Sequence, residues 1–259
     1  MNNISALAFD LDGTLYNGKN AIKGARKTIA VLLGLNYKIF YFTNNSAKTR
    51  QQIVDKLNNL GFPAELKNTY CAAYAILKYL LKQKIMSIYL IGSEALRNEL
   101  IMHDIKVKNS SRVPAVVVGL DQLFDYKKIA IALEAINSGA RLIVANTDSS
   151  YPIENNKRLP GCGAMVGAII GASSHSFDFN VGKPNTYMLE LLCREHGLLP
   201  KNICIVGDSL ESDIKMADDL RCQSILYDPK NIFSKFSGNK VNAHREIILL
   251  INKKKRLGR

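Results

Sequence analysis

Short uninterrupted apolar runs alternate along this chain with segments in which apolar residues recur every three or four positions. The first kind predicts strands at Ser5–Phe9, Tyr37–Phe42, Ser87–Ile91, Ala115–Val118, Arg141–Ala145, Ile203–Val206 and Gln223–Tyr227. The second predicts helices over Gly24–Leu35, Ser46–Leu60, Thr69–Lys82, Glu94–His103, Lys127–Ser138, Asn185–His196, Glu211–Asp219 and Ala243–Lys254. Ser46 stands where it can cap its helix, and Gly61, Gly139 and Gly197 stand where they can end theirs. The Gly-rich segment Pro160–Gly171 reads as a buried helix. Strands spaced by helices in this way make an α/β protein whose strands are mostly parallel.

Composition narrows the class. With 47% hydrophobic residues in 259, the chain has material for a sizeable core and is not disordered, and its length suits about two domains. The five cysteines (Cys71, Cys162, Cys193, Cys204, Cys222) are odd in number and form no Cys-x-x-Cys pair, which points to reduced thiols rather than disulfides or zinc. Met1–Asn3 carries no basic leader, Asp10 interrupts the first apolar run, and the uncharged stretch Leu159–Phe177 is too polar for a good membrane span. A cytoplasmic protein with no membrane association is expected. The net charge is +13, of which five charges (Lys253, Lys254, Lys255, Arg256, Arg259) sit in the last seven residues. Such a balance favours anionic ligands in general. No zinc-finger, helix-turn-helix or RNA-binding pattern accompanies it, so no nucleic acid is expected as partner, and the basic tail reads as a solvated end.

Four short signals fall at the ends of expected strands or the starts of helices. Asp10-Leu11-Asp12-Gly13-Thr14 follows the first strand, putting two carboxylates at one site with a glycine to turn the chain. One carboxylate can attack phosphorus while the other handles the leaving-group proton. A calcium loop would share the DxDG spacing, but no run of oxygen ligands continues it. Thr43-Asn44-Asn45-Ser46 offers a hydroxyl and free N–H groups, either an anion cradle or an ordinary helix cap. Gly182-Lys183-Pro184 holds a cation before a helix. Gly207-Asp208-Ser209, with Asp213 five residues after Asp208, clusters carboxylates that repel one another unless a cation joins them, and hard oxygens favour Mg²⁺.

In this order the four signals resemble the motifs of the haloacid-dehalogenase (HAD) phosphohydrolase superfamily. The resemblance implies a Rossmann-like parallel-sheet core with the nucleophile at the switch point. Only 30 residues separate Asp12 from Thr43, whereas 139 lie between Thr43 and Lys183, far more than a strand-to-helix connection needs. An inserted α/β cap of the C2 type is therefore expected over residues 81–179, with residues 1–80 and 180–259 forming a discontinuous catalytic core. Ala145-Asn146-Thr147-Asp148 and Leu159-Pro160-Gly161-Cys162-Gly163-Ala164 extend the likeness to class IIA, the NagD-like group. Ser209 and Ser212 depart from that group's usual motif, Ser212 conservatively and Ser209 by removing a side chain able to touch substrate. Asp228-Pro229 departs from the usual ending of the last core strand.

The resemblance implies a Mg²⁺-dependent phosphatase acting on small phosphate monoesters such as nucleoside monophosphates, phosphoglycolate or sugar phosphates. Asp10 is the nucleophile that becomes aspartyl-phosphate, and Asp12 is the general acid and base. Thr43, the Asn44 N–H and Lys183 bind phosphate. Asp10, the carbonyl of Asp12 and Asp208 hold the metal, with Asp213 behind them. Ser209, Asn146 and Asp148 are expected to contact substrate, and the Gly161–Gly163 turn serves either that purpose or close backbone packing. The partner is a small phosphorylated metabolite, and a homo-oligomer is left open. The alternative is a catalytically idle binding protein of the same fold for anionic ligands or nucleic acid, which would need a motif residue missing; none is.

Overall fold

The computed structural model describes residues 4–152 and 157–256, and for residues 152 and 253–256 the backbone only. Arg259 of the basic tail lies outside the described residues. The chain divides into two units, Met1–Thr43 with Ile53–Tyr70 and Lys183–Arg259, and Asn44–Gln52 with Cys71–Gly182.

The first unit is built on a parallel sheet in the order Lys240–Val241, Gln223–Tyr227, Ile203–Gly207, Ala6–Asp10, Lys38–Thr43 and Thr69–Cys71, whose last residue already belongs to the second unit. Ala6–Asp10 is buried at every position because both its edges are paired, Leu7 with Cys204 and Ile39, Ala8 with Ile205 and Phe40. A strand covered on both faces needs an unbroken apolar run, which is what Ala6–Phe9 supplies. The chain leaves Ala6–Asp10 toward one edge of the sheet and later fills the other edge from Ile203 onward. Strand order thus reverses at Asp10, where a crevice opens at the strands' carboxyl ends.

The second unit has its own parallel sheet, in the order Phe179–Asn180, Arg141–Val144, Ala115–Val118, Ser87–Ile91 and Lys106–Val107. Ser93 and Asp125 cap the helices Glu94–Ile101 and Tyr126–Asn137, accepting from the N–H groups of Leu96 at 3.1 Å and Lys128 at 2.8 Å. A short antiparallel ladder pairs Ser150–Pro152 with Arg158–Pro160.

Three local expectations are corrected. The segment expected as a helix over Thr69–Lys82 begins as the strand Thr69–Cys71, and the helix runs Ala72–Lys82. Ser46 does not cap: its hydroxyl accepts from the Leu120 N–H at 2.9 Å, and the helix starts later, at Arg50. Thr49 is the cap, its Oγ1 accepting from the Gln52 N–H at 3.1 Å while Gln52 Oε1 accepts from the Thr49 N–H at 2.9 Å. The helix expected over Glu211–Asp219 opens with a wide π-type turn, Leu210–Ile214, before Lys215–Asp219. The expected cap spans residues 81–179, whereas the second unit takes in Asn44–Gln52 and Cys71–Gly182. The Ala72–Lys82 helix is anchored in it by Tyr79, which stacks on Phe179 at 4.2 Å between ring centroids and accepts from Arg141 at 2.6 Å.

Candidate active site

Asp10, Thr43 and Gly207 close three adjacent strands of the first sheet, so the fold delivers their chemistry to one end. The chain turns sharply after Asp10. The N–H groups of Leu15 and Tyr16 both reach back to the Leu11 carbonyl, at 2.8 and 3.1 Å. Gly13 adopts φ +93°, and a Cβ there would come within 2.2 Å of Asp208 Oδ2. Both the left-handed backbone and the approach of Asp208 require glycine.

The carboxylates of Asp10, Asp208 and Asp213 each offer an oxygen within 4.8 Å of the others. Lys183, 2% exposed, is bound between two of them, with Nζ 2.5 Å from Asp10 Oδ1 and 2.6 Å from Asp213 Oδ1. Asp213 gets there because Gly207 has no side chain, since a Cβ on Gly207 would lie 2.2 Å from the Asp213 carboxyl carbon. The wide turn serves the same end, with the Asp213 and Ile214 N–H groups both donating to the Ser209 carbonyl, at 3.1 and 3.2 Å. Asp213 Oδ2 accepts from the Ser209 N–H at 3.2 Å, so each of its oxygens already has a partner within the protein.

One ammonium among three carboxylates leaves an excess of negative charge. Burial pushes the Asp10 carboxyl well above the ordinary range, Lys183 opposing and Asp213 and Asp208 adding to the rise. Burial, and then Asp213, lift Asp208 to about 6. Burial works against charge on Lys183, but Asp10 and Asp213 override it and hold the ammonium charged well above the usual lysine range. Crowded hard oxygens, with the Asp10 and Asp208 carboxyls pushed up by burial, fit a divalent cation such as Mg²⁺, which would relieve their repulsion. With Asp213 already engaged, Asp10 and Asp208 are the carboxylates open to such an ion.

Asp12 stands apart from this buried group. Tyr16 donates its hydroxyl to Asp12 Oδ2 at 3.0 Å, and Lys56 lies 3.9 Å from Asp12 Oδ1 and 3.7 Å above the centre of the Tyr16 ring. Sequence reasoning missed both partners. Tyr16 follows Asp12 by four residues in the first motif, whereas nothing local marks Lys56, whose helix runs Arg50–Asn59. Ser209, expected at substrate, caps the turn after the strand, its Oγ accepting from the Ser212 N–H at 3.2 Å.

Asn44, Asn146 and Asp148 gather in the second unit. Asn146 is buried and donates Nδ2 to the Asn44 carbonyl at 2.7 Å, while its Oδ1 accepts from the Asp148 N–H at 3.1 Å. Asn44 Nδ2 donates to both oxygens of Asp148, at 3.1 and 3.3 Å. Gly161 and Gly163 are packed closely: a Cβ on Gly161 would meet the Asp148 carbonyl at 2.2 Å, and one on Gly163 the Thr147 carbonyl at 2.4 Å. Cys162 is buried, its thiol directed at the Val118 carbonyl, and burial pushes it up to about 12, which removes it as a nucleophile.

Residues 7–106 match the family model described as haloacid dehalogenase-like hydrolase, and residues 180–231 a second model of HAD-like hydrolases. An acid sugar phosphatase of Staphylococcus epidermidis is 34% identical, over 83% of this chain and 82% of the relative. The chain belongs to the HAD-like hydrolases. Its relatives within this family are phosphatases, and its enzyme class is that of the HAD phosphatases. A chloroplastic phosphoglycolate phosphatase of Arabidopsis thaliana is 29% identical over 87% of this chain and 69% of its own length. The fold is also that of a p-nitrophenyl phosphatase from Archaeoglobus fulgidus, with a TM-score of 0.89 over 96% of this chain and 99% of that one, at 22% identity.

Proposed function

We propose that the protein is a Mg²⁺-dependent phosphatase of small phosphate monoesters that works through an aspartyl-phosphate on Asp10. The observation that carries this reading is the Asp10 carboxylate at the strand-order reversal, 2.5 Å from a charged, buried Lys183 and clustered with Asp208 and Asp213. In the first step an Asp10 oxygen forms a bond to phosphorus as the ester P–O bond breaks, and Asp12 gives its proton to the departing alkoxide. In the second, Asp12 takes a proton from a water that attacks the same phosphorus, releasing inorganic phosphate and restoring Asp10. Thr43, the Asn44 N–H and Lys183 are read as the groups that hold the phosphoryl oxygens and offset their charge. Mg²⁺ held by Asp10, the Asp12 carbonyl and Asp208 would let two anions approach, with Asp213 steadying Lys183 and the Ser209 turn.

The relatives' names point to small anionic metabolites, with sugar phosphates and phosphoglycolate the first to try. The second unit is read as a cap, the part that discriminates between leaving groups. The five free cysteines, four of them buried, suit a reducing cytoplasm. Among the described residues no helix is long and apolar enough to cross a membrane.

Turnover of 4-nitrophenyl phosphate with Mg²⁺ and with a chelator tests the reading. Wild type is expected to need the ion, and Asp10→Asn to lose about a thousandfold or more in kcat while unfolding at an unchanged temperature. Chelator-resistant turnover, or a folded Asp10→Asn protein that still works, would overturn it.

A further inference from the structure

Asn44, Asn146 and Asp148 close a ring. Asn44 Nδ2 donates to the Asp148 carboxylate, the Asp148 N–H donates to Asn146 Oδ1, and Asn146 Nδ2 donates to the Asn44 carbonyl, at 3.1, 3.1 and 2.7 Å. A carboxylate and a peptide carbonyl can only accept, so the chemistry of the partners orients both amide groups without ambiguity. Asn44 is thereby held twice, by its backbone and by its side chain. The walls of the ring are backbone. A Cβ on Gly182 would come within 2.3 Å of the Ala145 carbonyl and 2.7 Å of Asn44 Oδ1, and the Gly163 N–H donates to the Asp148 carbonyl at 2.9 Å. A second tie lies two residues on, where Ser46 Oγ accepts from the Leu120 N–H at 2.9 Å.

We infer that Asp148 and Asn146 are positioning residues for phosphate binding and do not select the substrate. Their hydrogen bonds fix the Asn44 side chain and the Asn44–Asn45 peptide, and through the Asn44 Cα they limit the direction of the N–H next to Thr43. The phosphoryl group is common to every substrate, so loosening this ring weakens all substrates and inorganic phosphate alike. A residue that reads the leaving group would instead reorder preference and leave inorganic phosphate untouched. This inference rests on the reading of Asn44 as a phosphate ligand.

The test uses the full chain with Mg²⁺ and compares Asp148→Ala, Asp148→Asn and Asn146→Ala with wild type. Asp148 is exposed, so its variants keep the comparison informative if Asn146→Ala fails to fold. The readouts are kcat and KM for 4-nitrophenyl phosphate, glucose 6-phosphate and phosphoglycolate, and inorganic phosphate affinity by calorimetry. Losing a hydrogen bond to a charged group is expected to raise KM for each ester, and the phosphate dissociation constant, by one common factor of about tenfold. The kcat values should change much less, and Asp148→Asn, which keeps an acceptor oxygen, should recover most of the loss. A changed order of substrates with unchanged phosphate affinity overturns the inference. If wild type hydrolyses none of the esters, the phosphatase reading fails, while the calorimetric comparison still decides whether Asp148 and Asn146 support phosphate binding.

Discussion

Asp12 shows how far a residue's role depends on its partners. Its carboxylate is held by the Tyr16 hydroxyl and faced by Lys56, outside the crowded group around Lys183. A carboxyl steered in this way can present one oxygen to a leaving group and later to water. Asp12→Asn removes the proton donor while keeping the shape, so leaving groups that need protonation should suffer most. Alkyl phosphates are expected to lose about a hundredfold or more in kcat, and 4-nitrophenyl phosphate about tenfold. Equal losses on both substrate types, measured side by side, would assign Asp12 a structural role only. The first motif was legible because its carboxylates and glycine lie within five residues. Lys56 was not, because its approach to Asp12 depends on how a helix more than 40 residues on packs against the turn. Asn146 and Asp148 were legible as polar residues at a strand end, but their ring with Asn44 joins segments about a hundred residues apart.

Among the elements, strands were the most legible. Ser87–Ile91, Ala115–Val118 and Gln223–Tyr227 match their expected bounds, since a strand paired on both sides needs a continuous apolar run. Two-residue strands such as Lys106–Val107 and Phe179–Asn180 leave no such trace, being defined by a neighbour's ladder. Ser46 is the instructive miss. A serine before a helical pattern suggests a cap, yet a backbone donor from a distant loop competes for the same oxygen. The last helix, His244–Arg256, illustrates a contact of consequence. His244 is buried, donates Nε2–H to the Thr14 carbonyl at 2.7 Å, and leaves Nδ1 buried without a hydrogen-bond partner among the described residues. Burial therefore holds its pKa below the ordinary histidine value. The unfolded chain takes up this proton first as pH falls, so the stabilising effect is present above about pH 6.5 and lost toward the folded-state value. Urea unfolding across this window should show wild type losing up to about 1.4 kcal/mol per pH unit more than His244→Gln. Parallel profiles would mean that His244 accepts the proton without leaving its place.

At the scale of the whole molecule, the excess length between Thr43 and Lys183 reads as an insertion, but it does not set the bounds at which the chain divides. Asn44–Gln52 groups with the second unit directly after Thr43 closes a strand of the first sheet, and Cys71, the end of another strand of that sheet, groups with it too. Spacing counts residues and cannot tell which side a helix packs on. In the proposed mechanism phosphate is passed to Asp10 and from there to water. Two successive in-line displacements retain configuration at phosphorus, whereas direct attack by water inverts it. The decisive measurement is therefore the stereochemical course of hydrolysis, read from a phosphate ester made chiral with oxygen isotopes and sulfur. Retention is the predicted result, and inversion would contradict an aspartyl-phosphate on Asp10.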